Sequence, residues 1–510
     1  MATPPGAAFD EPAHFVKAVG AGALDLYGEP LEVSAAEREA FEELGRRRRN
    51  RAAERALLRR EVSAAALRWQ ERTTRQFEVP RRLIGPELGC ANASVETTGQ
   101  CLERDLPAPG RTELGSYVGT YEPFVYVPAG LAARAADDAQ TAVRLGRAAI
   151  LALSLSLLVL AVLLVWDPRS GATSLLGVAA AVTPMVVFTA SALSASGPEI
   201  AAGICFTAAL VRLTRAGAQP GWAWAAAAFA GAGLAVSRPL GVPFVLLIVA
   251  ATAALAGPRT ALERLRSGGR AARRAALVIG VGVVTGVVWE VAYQPRPAPG
   301  GEGLLDAVRP SLENISPLFR HVVGVFGGLD SEMPDPAYLL WGALLVALLG
   351  AAFAAGERVA AVALPLGAFA VVMALSLGLR ELGSLQGRYA LPVLVLVPLW
   401  AGELVHRGRD QLGGRALRAL TAGTFTVVAA VHAVGWYANG RRFAVGDSGS
   451  WLYPFESDWA PPLGWLPWLV LAAAGCAAWL LAASTSSAPP MTPTPVVKMP
   501  IMDSKRSSST

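Results

Sequence analysis

Ile150-Leu-Ala-Leu-Ser-Leu-Ser-Leu-Leu-Val-Leu-Ala-Val-Leu-Leu-Val-Trp166 is a run of seventeen residues without a charge. A stretch of about 20 apolar residues crosses the hydrocarbon core of a bilayer as a helix, and runs of this kind recur to residue 483. Spans are expected near 147–166, 172–192, 199–215, 221–236, 239–256, 275–293, 338–355, 359–379, 388–405, 419–437 and 462–483. The composition agrees. Of the 510 residues, 53% are apolar and 16% charged, against roughly 25% charged in soluble domains. A cytosolic enzyme, a disordered regulator and a secreted disulfide scaffold are thereby excluded. The net charge of +6 does not point to nucleic acid, because excess Arg in a membrane protein sets its orientation.

The expected fold is an all-α integral membrane protein with about eleven transmembrane helices. Residues 1–146 form a first-loop domain, 147–483 the helix bundle, and 484–510, rich in Ser, Thr and Pro, a disordered cytoplasmic tail. Arg259, Arg264, Arg266, Arg270, Arg273 and Arg274 face one acid, Glu263, between the fifth and sixth spans. Arg407, Arg409, Arg415 and Arg418 face Asp410 between the ninth and tenth. Both loops belong in the cytoplasm. Counting spans then puts 1–146, 294–337, 380–387 and 438–461 outside. The first block holds 19 Lys+Arg against 21 Asp+Glu, so its own charge hardly constrains it. A hydrophilic block of this size needs an apolar signal ahead of it. The expectation is therefore a twelfth span upstream of Met1, lost to a misplaced start codon. Within the block a helix is expected from Ser34, with Glu37 completing a capping box, to about Phe77. Leu58, Val62, Ala65 and Trp69 share its apolar face, and Arg46–Arg49 lie on its solvated face.

Four motifs carry chemistry. In Asp10-Glu11-Pro12-Ala13-His14-Phe15, Pro12 suits the first turn of a helix. Two carboxylates then sit at its positive end, with His14 one turn on. The group could serve as a general base or bind a divalent cation, or simply cap the helix. Cys90 and Cys101, in an oxidising compartment, are expected to form a disulfide. Tyr117-Val118-Gly119-Thr120-Tyr121-Glu122-Pro123-Phe124-Val125-Tyr126 precedes a short apolar stretch and reads as an interfacial or re-entrant element. Finally, Lys17, Arg238 and Arg388-Tyr389 place cations at the outer ends of helices, where they could meet a phosphate or snorkel to headgroups. Gly282 and Gly286 lie within a span and form a small-residue packing face. Glu199 and Glu290 are costly in lipid and are expected to face a cavity.

Six blocks in order resemble a bacterial family of multi-pass membrane proteins known as domain of unknown function 2142. They are Asp10–Phe15; the Cys90/Cys101 pair; Tyr117-Val118-Gly119-x-Tyr121-x-Pro123; Gly324-Val325-Phe326-Gly327-x-Leu329-Asp330; Gln386-Gly387-Arg388-Tyr389-x-Leu391-Pro392; and Trp459-x-Pro461-Pro462-Leu463-Gly464. Glu122, Gly328 and Ser196-Gly197-Pro198 depart from its pattern. The layout is similar to that of C-type glycosyltransferases. The resemblance implies a sugar transferred from a polyprenyl-phosphate donor to an envelope glycan acceptor, outside the bacterial cytoplasmic membrane. Asp10 would be the base and Glu11 its orienter or a cation ligand. Arg388, with Arg238 or Lys17, would neutralise the phosphate, beside Tyr121 and Tyr389. Two other functions fit the same layout: transport or flipping of a lipid-linked glycan, which calls for charges through the bundle centre, and a non-catalytic envelope assembly factor that binds partners through residues 1–146.

Overall fold

The computed structural model describes residues 3–31, 71–85, 88–102, 111–295, 307–379, 385–457 and 459–484. The chain is a bundle of membrane helices with the N-terminal block packed onto one end. Seven described helices are long and apolar enough to cross a bilayer, and two bent pairs bring the number to nine. The expected count of eleven is not reached. Gly221–Ala235 has 15 residues, about 22 Å of helix against a core of about 30 Å. Ser196–Thr214 carries Glu199 and Arg212 and is buried on nearly every side, so it is a central packing helix. Two other spans end in a bend: Gly171–Ala181 meets Pro184–Ala190 at 70°, and the apolar Gly241–Ala256 meets the charged helix Pro258–Ser267 at 107°. Pro184 starts the second half of the first pair, where Thr183 Oγ1 accepts from Val186 N. Gly257, at φ 85°, and Pro258 turn the second. A sum of apolar residues does not register such breaks.

The helix Ala139–Val165 starts where Asp138 accepts from Thr141 N at 2.9 Å, a side-chain cap for an otherwise unpaired amide. Gly282 and Gly286 do mark a close crossing. A Cβ at Gly282 would lie 2.7 Å from Ala232 Cα, and one at Gly286 2.5 Å from Ala235 O.

The N-terminal block departs from the all-helical expectation. Glu29–Pro30, Arg75–Pro80 and Arg111–Ser116 form an antiparallel sheet in that order, with Phe77 opposite Leu114. The helix expected to run to Phe77 thus gives way to strand by Arg75. Phe77 and Val79 are buried while Glu78 is exposed, an alternation that belongs to a strand with one covered face. Ser34, Glu37, Arg46–Arg49, Leu58, Val62, Ala65, Trp69 and the tail from 485 lie outside the described residues. The stretch expected to be interfacial is a turn, 117–125, followed by the short helix Tyr126–Arg134.

The block is tied down by long-range bonds. Arg442 donates to Ala91 O (3.0 Å), Ser94 O (2.7 Å) and Thr97 O (2.9 Å), and to Asp330 Oδ2 at 3.0 Å. Asn439 Nδ2 donates to Thr3 Oγ1 at 2.9 Å, and Trp289 Nε1 to Thr120 O at 2.8 Å. Cys90 and Cys101 are joined in a disulfide, Cα atoms 6.1 Å apart, so Arg442 grips a cross-linked loop. Cys205 is buried in Ser196–Thr214. One end of the bundle therefore gathers the N-terminal block, the turn at 324–332 and the start of the span Gly387–Arg407.

Candidate functional site

Asp10 is the hinge of the site. It precedes the helix Glu11–Gly22 and sits at φ 51°, a left-handed conformation that Asp tolerates better than most residues. Its carboxylate therefore points away from the helix it would otherwise cap. Oδ1 accepts from Tyr117 OH at 2.6 Å and Oδ2 from Arg388 Nη2 at 2.5 Å. The side chain of Asp10 keeps 36% of its exposure, against 3% for Arg388. Burial opposes its ionisation, but the Arg388 charge and the Tyr117 hydroxyl outweigh that and hold the carboxyl at about 2.

Arg388 is the second residue of the span Gly387–Arg407. Its guanidinium also reaches Tyr389 OH at 3.2 Å and lies over the rings of Phe9 (4.6 Å) and Tyr389 (5.0 Å). Arg238, between Gly221–Ala235 and Gly241–Ala256, donates to Glu199 Oε2 at 3.0 Å and Ser196 Oγ at 3.2 Å. It lies over Tyr389 at 4.7 Å and Tyr121 at 5.4 Å. Tyr389 is thus shared by two buried guanidiniums, and its electron-rich face offsets part of their repulsion. The Nε–H of each Arg is buried with no acceptor. Glu122 lies in the same neighbourhood, 1% exposed, with both oxygens unpartnered. Burial raises its carboxyl to about 8, helped by the nearby Glu290.

The remaining expected site residues point elsewhere. Glu11 is fully buried and accepts four bonds: from Gly6 N (2.8 Å), Leu193 N (2.9 Å), Arg147 Nε (2.7 Å) and Arg147 Nη2 (2.5 Å). It clamps the N-terminal helix to Ala139–Val165. His14 stacks on Tyr126 and shares a 2.7 Å hydrogen bond with its hydroxyl. Burial drives the imidazole down to about 3, although Asp10 pulls the other way. Lys17 donates to Leu26 O (2.6 Å) and Gly119 O (2.7 Å) beneath Phe77, and burial lowers it to about 7. It holds the Gly119 turn rather than facing the two Arg. Asp10, Tyr121, Arg238, Arg388 and Tyr389 are brought together, with His14 at their margin, its ring 6.3 Å from that of Tyr121; Glu11 and Lys17 are not.

Sequence reasoning passed over Tyr117 as an individual partner, Phe9 as the platform under Arg388, and Arg147 altogether. Arg147 carried a readable signal, since a charge opening a long apolar run requires a partner. Among the described residues no three His, Cys, Asp or Glu side chains converge to hold a metal.

A second ionic cluster lies at the far end of the span that carries Arg388. Glu403 accepts from Arg215 (2.6 Å at the shortest) and from Arg407 Nε (2.8 Å). Arg215 also donates to Val165 O, and Arg407 to Thr214 Oγ1.

No curated protein and no solved structure matches the chain. The profile of a family described as predicted membrane protein, domain of unknown function 2142, matches residues 1–397, a region that includes Asp10, Arg238 and Arg388. With most of its length matched, and membrane-spanning helices through that region, the chain belongs to the predicted membrane protein family of domain of unknown function 2142.

Proposed function

We infer that the protein is a glycosyltransferase of C-type layout, moving a sugar from a polyprenyl-phosphate donor to an envelope glycan at the outer face of the cytoplasmic membrane. The observation that carries this reading is a solvent-reachable carboxylate, Asp10, bonded to a buried Arg388 beside a second buried Arg238. Two guanidiniums with unused N–H groups offer planar donors to a phosphate. Tyr121, Tyr389 and Phe9 supply aromatic walls.

In the resting arrangement Arg388 occupies Asp10. A phosphate arriving at the two Arg competes for Arg388 and releases the carboxylate. Freed of the nearby positive charge, the carboxyl of Asp10 rises from about 2 toward the usual carboxylate range, where it is a better base. The acceptor hydroxyl then attacks the anomeric carbon and its proton passes to Asp10. The bond from that carbon to phosphate oxygen breaks, and its electron pair leaves with the polyprenyl phosphate, stabilised by Arg388 and Arg238. Configuration inverts. Glu11 acts at one remove, by fixing the backbone beside Asp10 through Arg147.

The test is transfer from a synthetic short-chain polyprenyl-phosphate sugar by the full chain in lipid nanodiscs. Asp10→Asn should lower the rate by at least about 100-fold, a loss far larger than the destabilisation expected from leaving the buried Arg388 without its carboxylate. Unaltered transfer by Asp10→Asn, or none from any polyprenyl-phosphate sugar by the wild-type chain, would sink the reading.

A further inference from the structure

A cavity of about 330 Å³ to which neither Arg388 nor Arg238 contributes is lined among others by Thr3, Leu102, Gln140, Arg144, Arg147 and Trp459. Its volume falls within the range of small-ligand sites, about 300–1,000 Å³. Four stretches distant in sequence build it: the extreme N-terminus, Leu102 just past the disulfide loop, the first turns of Ala139–Val165, and the segment before Trp465–Ser484. Arg147 connects it to the site, because Arg147 is the partner of Glu11, next in the chain to Asp10.

The two Arg of the wall differ. Arg147 is spent on Glu11 and on the carbonyls of Thr3 and Pro4. Among the described residues Arg144 makes one hydrogen bond, Nη2 to Gln140 Oε1 at 3.0 Å, and Gln140 is itself fixed by donating to Leu102 O at 2.9 Å. No carboxylate among the described residues pairs with Arg144. The nearest acid in sequence, Asp138, lies close enough to attract the Arg144 charge through space but makes no hydrogen bond or ion pair with it, its Oδ1 accepting from Thr141 N. The fork of Arg144 is therefore held in place by one corner, with its other N–H groups left for a ligand.

Trp459, 8% exposed, supplies the apolar wall with the part of its ring left open to the cavity. A Cβ at Gly99 would lie 2.4 Å from the indole, and Trp465 meets the ring edge-on at 5.9 Å. The ring is locked before any ligand arrives, which reduces the entropy cost of binding.

We propose that this cavity is a subsite for an anionic sugar residue, with Arg144 taking the acidic group and the Trp459 ring covering the pyranose. A guanidinium fork matches a carboxylate in a planar, two-bond contact, and an aromatic plane fits the apolar C–H face of a sugar. A simple anion would have no use for the indole, and a neutral sugar little for a guanidinium fork with donors to spare. The proposal rests on the transferase reading only in taking the ligand for a residue of the acceptor glycan.

The binding test needs no donor and no turnover. Ligand-observed NMR on the full chain in neutral-lipid nanodiscs would compare methyl β-D-glucuronide, methyl β-D-glucoside and inorganic phosphate. The glucuronide should bind at least about tenfold more tightly than the glucoside, with inorganic phosphate failing to displace it at equal concentration. Arg144→Gln should bring glucuronide binding down to the level of the glucoside, at an unchanged unfolding temperature. Trp459→Phe, which keeps a ring in the packing, should weaken both sugars. Equal binding of the two sugars, displacement by phosphate, or indifference to Arg144→Gln would overturn the proposal. Because the readout is binding alone, failure of transfer leaves it standing, and its failure leaves the transfer test standing.

Discussion

The span Gly387–Arg407 carries an ionic cluster near each end, roughly 22 Å apart by helical rise, and the two are built differently. At the far end Glu403 sits between Arg215 and Arg407, and both Arg find further acceptors in Val165 O and Thr214 Oγ1. At the near end Arg388 and Arg238 each meet one carboxylate, one hydroxyl (of Tyr389 and Ser196) and aromatic faces, with both Nε–H groups unmet. The far cluster is saturated and ties three helical regions together. The near cluster retains donor capacity that folding does not use. An unmet buried donor is destabilising, and two of them facing one aromatic ring beside a partly exposed carboxylate are what an arriving anion could use.

The contrast is exposed by removing one member from each end. Glu403→Ala strands two guanidiniums, one of them 12% exposed, and should cost about 3 kcal/mol or more, read as lost thermal stability in nanodiscs at any ionic strength. Arg388→Gln should cost about 1 kcal/mol of stability, because Asp10 is exposed enough to regain water. In the transfer assay, however, it should lose about 100-fold in rate. A stability loss as large as that of Glu403→Ala, without a transfer defect, would make the near cluster a second staple.

Acidity sharpens the difference further. Glu122 holds its proton to about 8 in the folded chain, well above the ordinary range. The unfolded chain binds fewer protons between about 4.5 and 8, so stability should fall as pH rises through that window. Glu122→Gln should flatten that limb in thermal melts. His14, held down to about 3, acts in the opposite sense, and stability should fall as pH drops from about 6.5 toward 3. The smallest effect is expected of Tyr389→Phe, which keeps the shared ring and removes only the 3.2 Å contact to Arg388. A change of about 0.5–1 kcal/mol in donor binding, measured as a shift in KM, would place the work of Tyr389 in its ring.

The membrane character was legible because apolar runs such as 150–166 have no other stable home. Asp10, Arg238 and Arg388 were legible because charge near a bilayer is costly and must be matched. The roles of Glu11 and Asp10 were not separable. Neighbours in sequence, they are turned to opposite tasks by the left-handed backbone at Asp10 and by Arg147, 136 residues away. The strand Arg75–Pro80 was missed through preference for a helical period, although Phe77 and Val79 alternate with Gln76 and Glu78. The span count came out too high at 199–215 and 221–236, where one apolar stretch is a buried packing helix and the other a helix of 15 residues, and at Pro184, which bends the run expected at 172–192.

The reach of these contacts in sequence has a consequence for synthesis. Arg442 grips the disulfide loop across 345 residues, and Asp10 waits for Arg388 across 378. At about 5–20 residues per second, the acid is made roughly 20–75 seconds before the cation that pairs with it. During that interval Glu11 can already engage Arg147, 136 positions on, so the N-terminal helix is anchored early with its neighbouring carboxylate still open. Assembly of the site is thus a late event in the life of the nascent chain. A protein truncated before residue 388 would insert most of its helices and still lack the pairing on which the proposed reaction depends.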